Sequence, residues 1–156
     1  MKRSVLWVLW VFTMLSLSVS AAVQEKVVEY SLDGTALEGV LVYDDAVTDK
    51  RPGILVIHDW MGVGPYVKSR CRQLAELGYV AFAADIYGKG VRPANAQEAA
   101  KQAGIYKKDR ALMRARARAG LAELQKQPHV DANSVAAIGY CFGGTTVIEL
   151  ARSGAD

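Results

Sequence analysis

The sequence has 156 residues, of which 51% are hydrophobic and 22% charged, with 14 Gly and only 4 Pro. This composition is typical of a folded globular domain and excludes a disordered or fibrous chain. The formal net charge is +3, but Lys2 and Arg3 belong to an N-terminal leader, and without them 17 basic residues stand against 16 acidic ones. Such a nearly neutral chain has no general field for nucleic acid or for an anionic membrane, and we expect neither as a partner.

The first 21 residues have the pattern of a secretory signal peptide. Lys2 and Arg3 form a basic start, residues 5–19 are apolar except for Thr and Ser, and small residues follow at 20–22. The apolar run is shorter than the ~20 residues of a membrane-spanning helix, which argues against an uncleaved anchor. We therefore predict a signal peptide over residues 1–21, cleaved after Ala21 or Ala22. The mature protein is expected to be exported, periplasmic or secreted, without stable membrane association after cleavage.

After the leader, two short runs rich in Val, Leu and Tyr, residues 26–31 and 35–43, flank Asp33-Gly34, a strong signal for a two-residue hairpin. Apolar runs and helical patterns then alternate along the chain. The predicted strands are residues 53–58, 79–84 and 134–139. The predicted helices are residues 66–77, a short helix that a capping box at Asn95 and Glu98 begins, residues 107–127, and a helix from 143.

This alternation predicts an α/β architecture, in which a parallel sheet carries helices on both faces and the leading hairpin forms an antiparallel edge. The sequence ends soon after its last predicted helix begins, and nothing that follows covers the far side of the last strand. Because such a sheet needs cover on both faces, we expect residues 22–156 to be the N-terminal part of a longer α/β domain. By itself this part should have an incomplete, aggregation-prone core.

The chemistry of the chain is concentrated in Gly139-Tyr140-Cys141-Phe142-Gly143, which lies between the last predicted strand and the last helix. This is the pattern of a nucleophile elbow, a strained turn whose neighbouring residues must be small. Gly139 and Gly143 meet that need, and Gly144 is expected to let the helix approach closely. The elbow places the Cys141 side chain at the N-terminus of a helix, where the helix field favours the reactive thiolate.

Two backbone N–H groups are predicted to stabilise an oxyanion beside this thiol. The elbow itself directs the N–H of Phe142 at that position, and the loop after the strand at 53–58 supplies a second donor, for which Trp60 is the candidate. The structural alternative is a glycine-rich connection that carries a buried, inert Cys141. The surrounding order of strands and helices favours the nucleophile.

Residues 139–144, Gly-Tyr-Cys-Phe-Gly-Gly, resemble the elbow of the dienelactone hydrolase family, in which Cys replaces the usual Ser. Residues 57–62, Ile-His-Asp-Trp-Met-Gly, and parts of residues 78–88 are similar to other segments of that family, in the family's order. The resemblance covers about residue 25 to the end. It implies an α/β-hydrolase fold and cleavage of lactones or small carboxylic esters through a Cys-His-Asp triad, without a metal or organic cofactor.

Asp59 stands where the family commonly has a Glu that contacts the resting thiol, and Asp is one methylene shorter. Two roles stay open for it, partner of the Cys141 thiol or cap of its own turn. In this fold the triad acid and the base follow the nucleophile, but only 15 residues follow Cys141 and none is His. Glu149 lies inside the last helix, which is the wrong place for the acid. We therefore expect this chain to lack the triad Asp and His and to be inactive by itself.

Other residues favour structural roles. His58 is interpreted as a loop-packing histidine and His129 as an exposed one. Cys71 has the spacing of a buried helix face, which argues against a disulfide with Cys141. Residues 110, 114 and 118, all Arg, share one helix face that we expect to be solvated.

Three other functions remain open: a non-catalytic hydrolase-like domain, a thiol redox protein in which Cys71 resolves an oxidised Cys141, and an esterase or peptidase with wider substrates.

Overall fold

The computed structural model describes residues 23–46 and 48–155. The predicted signal peptide, residues 1–21, therefore lies outside the described residues. Within the part of the chain that is described, no helix is long and apolar enough to cross a membrane.

Five strands and four helices alternate in the order that the sequence predicts. They are β1 Val23–Leu32, β2 Thr35–Asp44, β3 Arg51–Ile57, α1 Pro65–Glu76, β4 Val80–Ala84, α2 Ala96–Lys108, α3 Arg110–Gln125, β5 Val130–Gly139 and α4 Phe142–Arg152. The strands form one sheet in the order β1-β2-β4-β3-β5. β3 pairs in parallel with β4 and β5, whereas β2 pairs antiparallel with both β1 and β4. The predicted α/β architecture with an antiparallel edge is confirmed.

The turn between β1 and β2 is the two-residue hairpin expected from Asp33-Gly34. Both residues have positive φ, 48° at Asp33 and 76° at Gly34, as a type I′ turn requires. Leu32 pairs with Thr35 directly across the turn, and the pairing continues to Val23 and Asp44. Both strands therefore extend beyond the predicted runs.

Two apolar layers enclose the sheet, one on each face. Side chains alternate along β3, so that Ile54 and Val56 face α1, whereas Leu55 and Ile57 face the layer formed by α2, α3 and α4. All four of these side chains are buried. The helices on both faces confirm the layered arrangement predicted from the apolar runs, and α1 buries Cys71 as predicted.

The single helix predicted over residues 107–127 is two helices, because Asp109 interrupts it. Asp109 has φ −108° and ψ 86°, outside the helical region, and its carboxylate accepts the N–H of Leu112 at 2.9 Å to cap α3. α2 therefore continues to Lys108. Its predicted N-terminal cap is confirmed, since Asn95 Oδ1 accepts the N–H of Glu98 at 3.0 Å.

Two arginines on one face of α3, Arg114 and Arg118, contact α4. Arg114 donates from Nε and Nη2 to Glu149 Oε2 at 2.9 and 2.6 Å, and Glu149 is buried. Arg118 donates to the hydroxyl of Ser153 at 3.2 Å and to its carbonyl oxygen. Arg118 is exposed, as predicted. The prediction is incomplete for Arg114, which is half-buried in its ion pair with Glu149 because α3 and α4 pack side by side on the same face of the sheet.

One edge of β5 carries no partner strand among residues 23–46 and 48–155. β5 pairs with β3 along its other edge, and after the buried Val130 all of its residues are half-buried or exposed. An apolar groove of about 260 Å³ lies beside it, between α3 and α4. The groove is lined by residues that include Leu121, Val135, Ala137, Val147 and Leu150.

Candidate active site

Cys141 lies on a sharp turn between the carboxyl end of β5 and the first residue of α4. Its φ of 54° and ψ of −109° put a non-glycine residue at positive φ, which costs on the order of 1–3 kcal/mol. Within the described part of the chain, the only other non-glycine residue with positive φ is Asp33 of the hairpin. The Cys141 side chain is exposed. The turn therefore holds a thiol out of the sheet toward solvent, in a backbone conformation that must be held by its surroundings.

Two glycines make that turn sterically possible. A Cβ on Gly139 would lie 2.1 Å from the carbonyl oxygen of Gly143, and a Cβ on Gly143 would lie 2.3 Å from that of Ile57. Neither position can hold a side chain without movement of the backbone. Gly144 is different, because its Cβ would lie 3.5 Å from the Gly139 carbonyl oxygen, an ordinary contact. The prediction that Gly144 is needed for close approach of the helix is wrong.

The N–H of Phe142 is free to bind a ligand atom at this turn. Phe142 is the first residue of α4, and the first N–H groups of a helix have no intrahelical acceptor. The N–H of Gly143 bonds the Tyr140 carbonyl at 2.9 Å, and that of Gly144 bonds the Cys141 carbonyl at 3.0 Å. No acceptor for the Phe142 N–H occurs among the described residues. The Phe142 ring itself is buried and fixes the residue in the core.

The loop after β3 brings a second N–H group, that of Trp60, which likewise has no acceptor in the described part of the chain. In the same loop Asp59 Oδ1 accepts the N–H of Met61 at 2.7 Å. This contact is the turn cap that was one of the two roles open for Asp59. The Trp60 side chain is exposed. On either side of Trp60 the backbone is hydrogen-bonded, through the carbonyl of Asp59 and the N–H of Met61.

His58 is buried and uses both ring nitrogens. Nδ1 lies 2.6 Å from the carbonyl oxygen of Asp59, and Nε2 accepts the N–H of Ile86 at 3.3 Å. An acceptor at Nε2 and a carbonyl at Nδ1 assign the proton to Nδ1. Burial lowers the pKa of His58, which keeps the ring neutral. With neither nitrogen available, His58 is a packing histidine, as the sequence indicates, and not a base for Cys141.

Asp85 and Tyr87 belong to the same network, a role that their sequence pattern alone does not predict. Asp85 is fully buried at the end of β4, where Oδ1 accepts the N–H groups of Tyr87 and Gly88 at 3.0 Å each. Tyr87 donates its hydroxyl to the Trp60 carbonyl at 3.1 Å. An aspartate directly after a buried strand, followed by a glycine-containing loop, is a signal that could have indicated such a hub.

His129 lies far from the Cys141 thiol, and Cys71 is buried. His129 precedes β5, whereas Cys141 follows it, so the ten-residue strand separates them by roughly 30 Å. His129 is half-buried and stacks on Tyr43 at 4.7 Å, so the prediction that it is simply exposed is wrong. Both cysteines are free, and burial raises the pKa of the Cys71 thiol to about 12. Cys71 therefore gives no support to a redox pair.

The exposed thiol of Cys141 is chemically suited to attack an electrophilic centre next to the unbonded N–H of Phe142. An exposed thiol on a sharp turn between a strand of a mixed sheet and the following helix is the arrangement typical of the α/β-hydrolase class of fold. Within residues 23–46 and 48–155, no group of three or more His, Cys, Asp or Glu side chains is placed to hold a metal ion.

The chain belongs to the dienelactone hydrolase family, whose family model matches residues 37–156. A curated relative, the carboxymethylenebutenolidase of Pseudomonas sp. (strain P51), is 32% identical over 113 residues, which cover 67% of this chain and 46% of the relative. A solved structure named m3DLH is 42% identical with a TM-score of 0.83, over 86% of this chain and 56% of that one.

A second solved structure, a dienelactone hydrolase-like promiscuous phosphotriesterase from metagenomic libraries, is 40% identical with a TM-score of 0.82 and the same coverage. The chain thus spans about half the length of the relatives that it matches.

Proposed function

We propose that this chain is the nucleophile-bearing part of an enzyme that hydrolyses lactones or small carboxylic esters through the thiolate of Cys141. The observation that carries the proposal is the exposed thiol at φ 54° between β5 and α4. Membership of the dienelactone hydrolase family and the similarity to a carboxymethylenebutenolidase support the choice of lactones and esters.

In the proposed reaction the Cys141 thiolate attacks the carbonyl carbon, and a C–S bond forms as the carbonyl electrons move onto oxygen. The N–H groups of Phe142 and Trp60 stabilise that oxyanion. When the intermediate collapses, the C–O bond breaks and the alkoxide oxygen keeps the bond electrons and takes up a proton from solvent. From an ester it leaves as an alcohol, and from a lactone it stays on the acyl chain as a hydroxyl group. The product is a thioester on Cys141, which water then hydrolyses to a carboxylic acid and the free thiol.

The second half of this cycle needs a base to activate the water, and the described residues do not provide one at the site. His58 has both nitrogens engaged, and His129 lies at the opposite end of β5. The proposal therefore assigns the triad Asp and His to residues outside this chain. By itself the chain should be acylated once and should not turn over. Asp59 keeps a minor place in the proposal, since its free Oδ2 is the atom left to interact with the thiol.

The test is a single-turnover reaction of the purified chain with p-nitrophenyl acetate. We expect release of one equivalent of p-nitrophenolate and one acetyl group on Cys141, seen by intact mass and peptide mapping and removed by hydroxylamine. Cys71→Ala is the matched control that keeps the reaction, and Cys141→Ala abolishes it. Equal acylation in Cys141→Ala would disprove the nucleophile, and repeated turnover by this chain would disprove the assignment of the base to residues outside it.

A phosphotriester is a second candidate substrate, because a relative 40% identical is a promiscuous phosphotriesterase. The same thiolate and the same two N–H groups would serve attack at phosphorus. A p-nitrophenyl phosphotriester in the assay described above separates the two substrate classes, since the adduct on Cys141 then carries phosphorus.

We also propose that residues 1–21 direct export, which N-terminal sequencing of the protein secreted from its host would test. A mature N-terminus at Ala22 or Val23 is expected, and an intact Met1 would contradict it.

A further inference from the structure

The peptide group between Asp59 and Trp60 is held through its carbonyl oxygen. His58 Nδ1–H donates to the Asp59 carbonyl at 2.6 Å. The described residues contain no cis peptide bond, and in a trans peptide the C=O and the following N–H lie in one rigid plane and point in opposite directions. A bond that fixes the Asp59 carbonyl therefore fixes the direction of the Trp60 N–H as well.

The His58 ring cannot easily turn away from this bond. Its Nε2 accepts the N–H of Ile86, so rotation of the ring would break two hydrogen bonds in the buried interior. The Tyr87 ring packs edge-on against it at 4.7 Å between centroids, and the Phe142 ring stacks on it at 5.8 Å. The ring is thus a fixed donor, pre-organised before any substrate binds.

The peptide group on the other side of Trp60 is held too. The Trp60 carbonyl accepts the hydroxyl of Tyr87 at 3.1 Å, and the N–H of Met61 bonds Asp59 Oδ1 at 2.7 Å. Tyr87 is itself fixed, since its carbonyl accepts the hydroxyl of Tyr106 at 2.9 Å. Both peptide planes that flank the Trp60 Cα are therefore constrained.

The rings of His58 and Tyr87 also contact the elbow, through Phe142. The Phe142 ring contacts both His58 and Tyr87, at 5.8 and 5.4 Å between ring centroids, and the Phe142 backbone supplies the other proposed donor. The packing of these three rings thus connects the loop of Trp60 to the backbone of Phe142.

We infer that His58 is a positioning residue that orients the Trp60 N–H toward the oxyanion, and that Tyr87 holds the following peptide in place. This inference rests on the proposed acyl transfer at Cys141.

The test compares two reactions of the same thiol. Acylation of Cys141 by p-nitrophenyl acetate passes through an oxyanion, whereas alkylation by iodoacetamide needs the thiolate and forms no oxyanion. The ratio of the two rate constants therefore reports the oxyanion donors separately from folding and from thiolate content. Replacing Trp60 by Pro removes the N–H and sets the scale, because loss of one such donor costs about 10²–10³ in rate.

Two substitutions of His58 separate its two hydrogen bonds. In His58→Asn the side-chain amide N–H replaces Nδ1–H and keeps the bond to the Asp59 carbonyl. In His58→Gln the longer amide reaches the Nε2 position and keeps an acceptor for Ile86 while the Nδ1 donor is lost. We expect His58→Gln to lower the ratio of acylation to alkylation by about 10-fold or more, within the range set by loss of a whole donor. We expect His58→Asn to recover most of it.

An unchanged ratio in His58→Gln, with wild-type acylation intact, overturns the positioning role alone. An equal fall of the ratio in the Asn and Gln variants overturns it too, since a packing role would not distinguish them. If the wild-type thiol is alkylated but never acylated, the proposed function fails and this inference fails with it.

Should His58→Gln not fold, Tyr87→Phe decides, because it keeps the ring and removes only the bond to the Trp60 carbonyl. A lowered ratio supports the role, and an unchanged one overturns it.

Discussion

Gly143 lies against the end of β3, where an added Cβ would be 2.3 Å from the carbonyl oxygen of Ile57 and 2.6 Å from that of His58. The first turn of α4 is thus seated directly on the backbone that leads into the loop of Trp60. The backbone of Tyr140 adds to this contact by donating its N–H to the Ile57 carbonyl at 3.2 Å. The elbow and the loop therefore keep a fixed distance from each other, which a pair of oxyanion donors requires.

The first prediction compares two adjacent glycines of α4. Gly143→Ala should destabilise the fold by about 1–3 kcal/mol or more, because its Cβ meets backbone that cannot yield cheaply. Gly144→Ala should stabilise it by about 0.5–1 kcal/mol, because its Cβ makes only an ordinary contact at 3.5 Å and Ala is the better helix former. Urea unfolding followed by circular dichroism measures both. Equal effects of the two substitutions would contradict the close packing of Gly143.

The sequence was sufficient for features that depend on local chemistry. Asp33-Gly34 predicts its hairpin because few residue pairs tolerate positive φ at both turn positions. The apolar runs at β3 and β4 predict strands buried on both faces. The turn at Cys141 could be placed for the same reason, since two flanking glycines allow a strained residue between a strand and a helix.

Features that depend on distant residues could not be placed in the same way. The bond between Arg114 and Glu149 joins residues 35 positions apart, and helical periodicity shows only which side of a helix each residue occupies. The network of His58 and Tyr87 likewise depends on loops that meet only after folding. The helix break at Asp109 is hidden for another reason. Strong helix formers flank Asp109 on both sides, so the local sequence predicts one continuous helix.

The second prediction concerns the ion pair of Arg114 and Glu149. Hydrogen bonds from Arg114, and further ones from Arg152, lower the pKa of Glu149 despite some desolvation. A carboxyl with a lowered pKa in the folded state stabilises the protein above its unfolded pKa, and that stability is lost as the pH falls through the folded pKa. Acidification from pH 6 to pH 3 should therefore cost wild type more stability than Glu149→Gln, measured by urea unfolding at each pH. The same loss in both proteins would contradict the pair.

The third prediction ranks the two arginines that reach Glu149. Arg114 donates two hydrogen bonds to one carboxylate oxygen of Glu149. Arg152 donates a single hydrogen bond, 3.1 Å long, and its side chain is more exposed than that of Arg114. Because exposed ion pairs contribute only about 0–1 kcal/mol, Arg152→Ala should change stability little. Arg114→Ala should cost more, since it leaves the buried Glu149 with a single partner. Thermal unfolding of the two variants side by side tests the order, and the reverse order would disprove it.

The fourth prediction concerns the buried carboxylate of Asp85. Oδ1 accepts from Tyr87 and Gly88, and Oδ2 accepts the N–H of Glu38 at 3.1 Å. In Asp85→Asn one oxygen becomes an NH₂ group that faces at least one N–H donor, so a buried bond is lost at a cost of about 1–3 kcal/mol. Asp131→Asn is the control, because Asp131 makes comparable side-chain bonds near the start of β5, outside the buried core. Urea unfolding should show the larger loss for Asp85→Asn, and equal losses would disprove its role as a buried hub.

The last prediction concerns Cys71, whose thiol is fully buried on α1. Burial, and to a smaller degree the charge of Glu25, raises its pKa from the ordinary value of 9.0 to about 12. An acid whose pKa is raised in the folded state holds its proton there while the unfolded chain releases it. The stability that this provides is complete below the unfolded pKa and is lost as the pH rises above it, toward the folded pKa.

Between pH 8 and pH 10 this release should lower the free energy of unfolding of wild type by about 1 kcal/mol more than that of Cys71→Ala. Urea unfolding of the two proteins at both pH values measures the difference, and the comparison cancels the tyrosines that titrate in the same range. Cys141→Ala serves as the second control, because it removes an exposed thiol and leaves the buried Cys71 in place. Equal losses of stability in Cys71→Ala and wild type between the two pH values would contradict the claim that burial keeps the Cys71 thiol protonated.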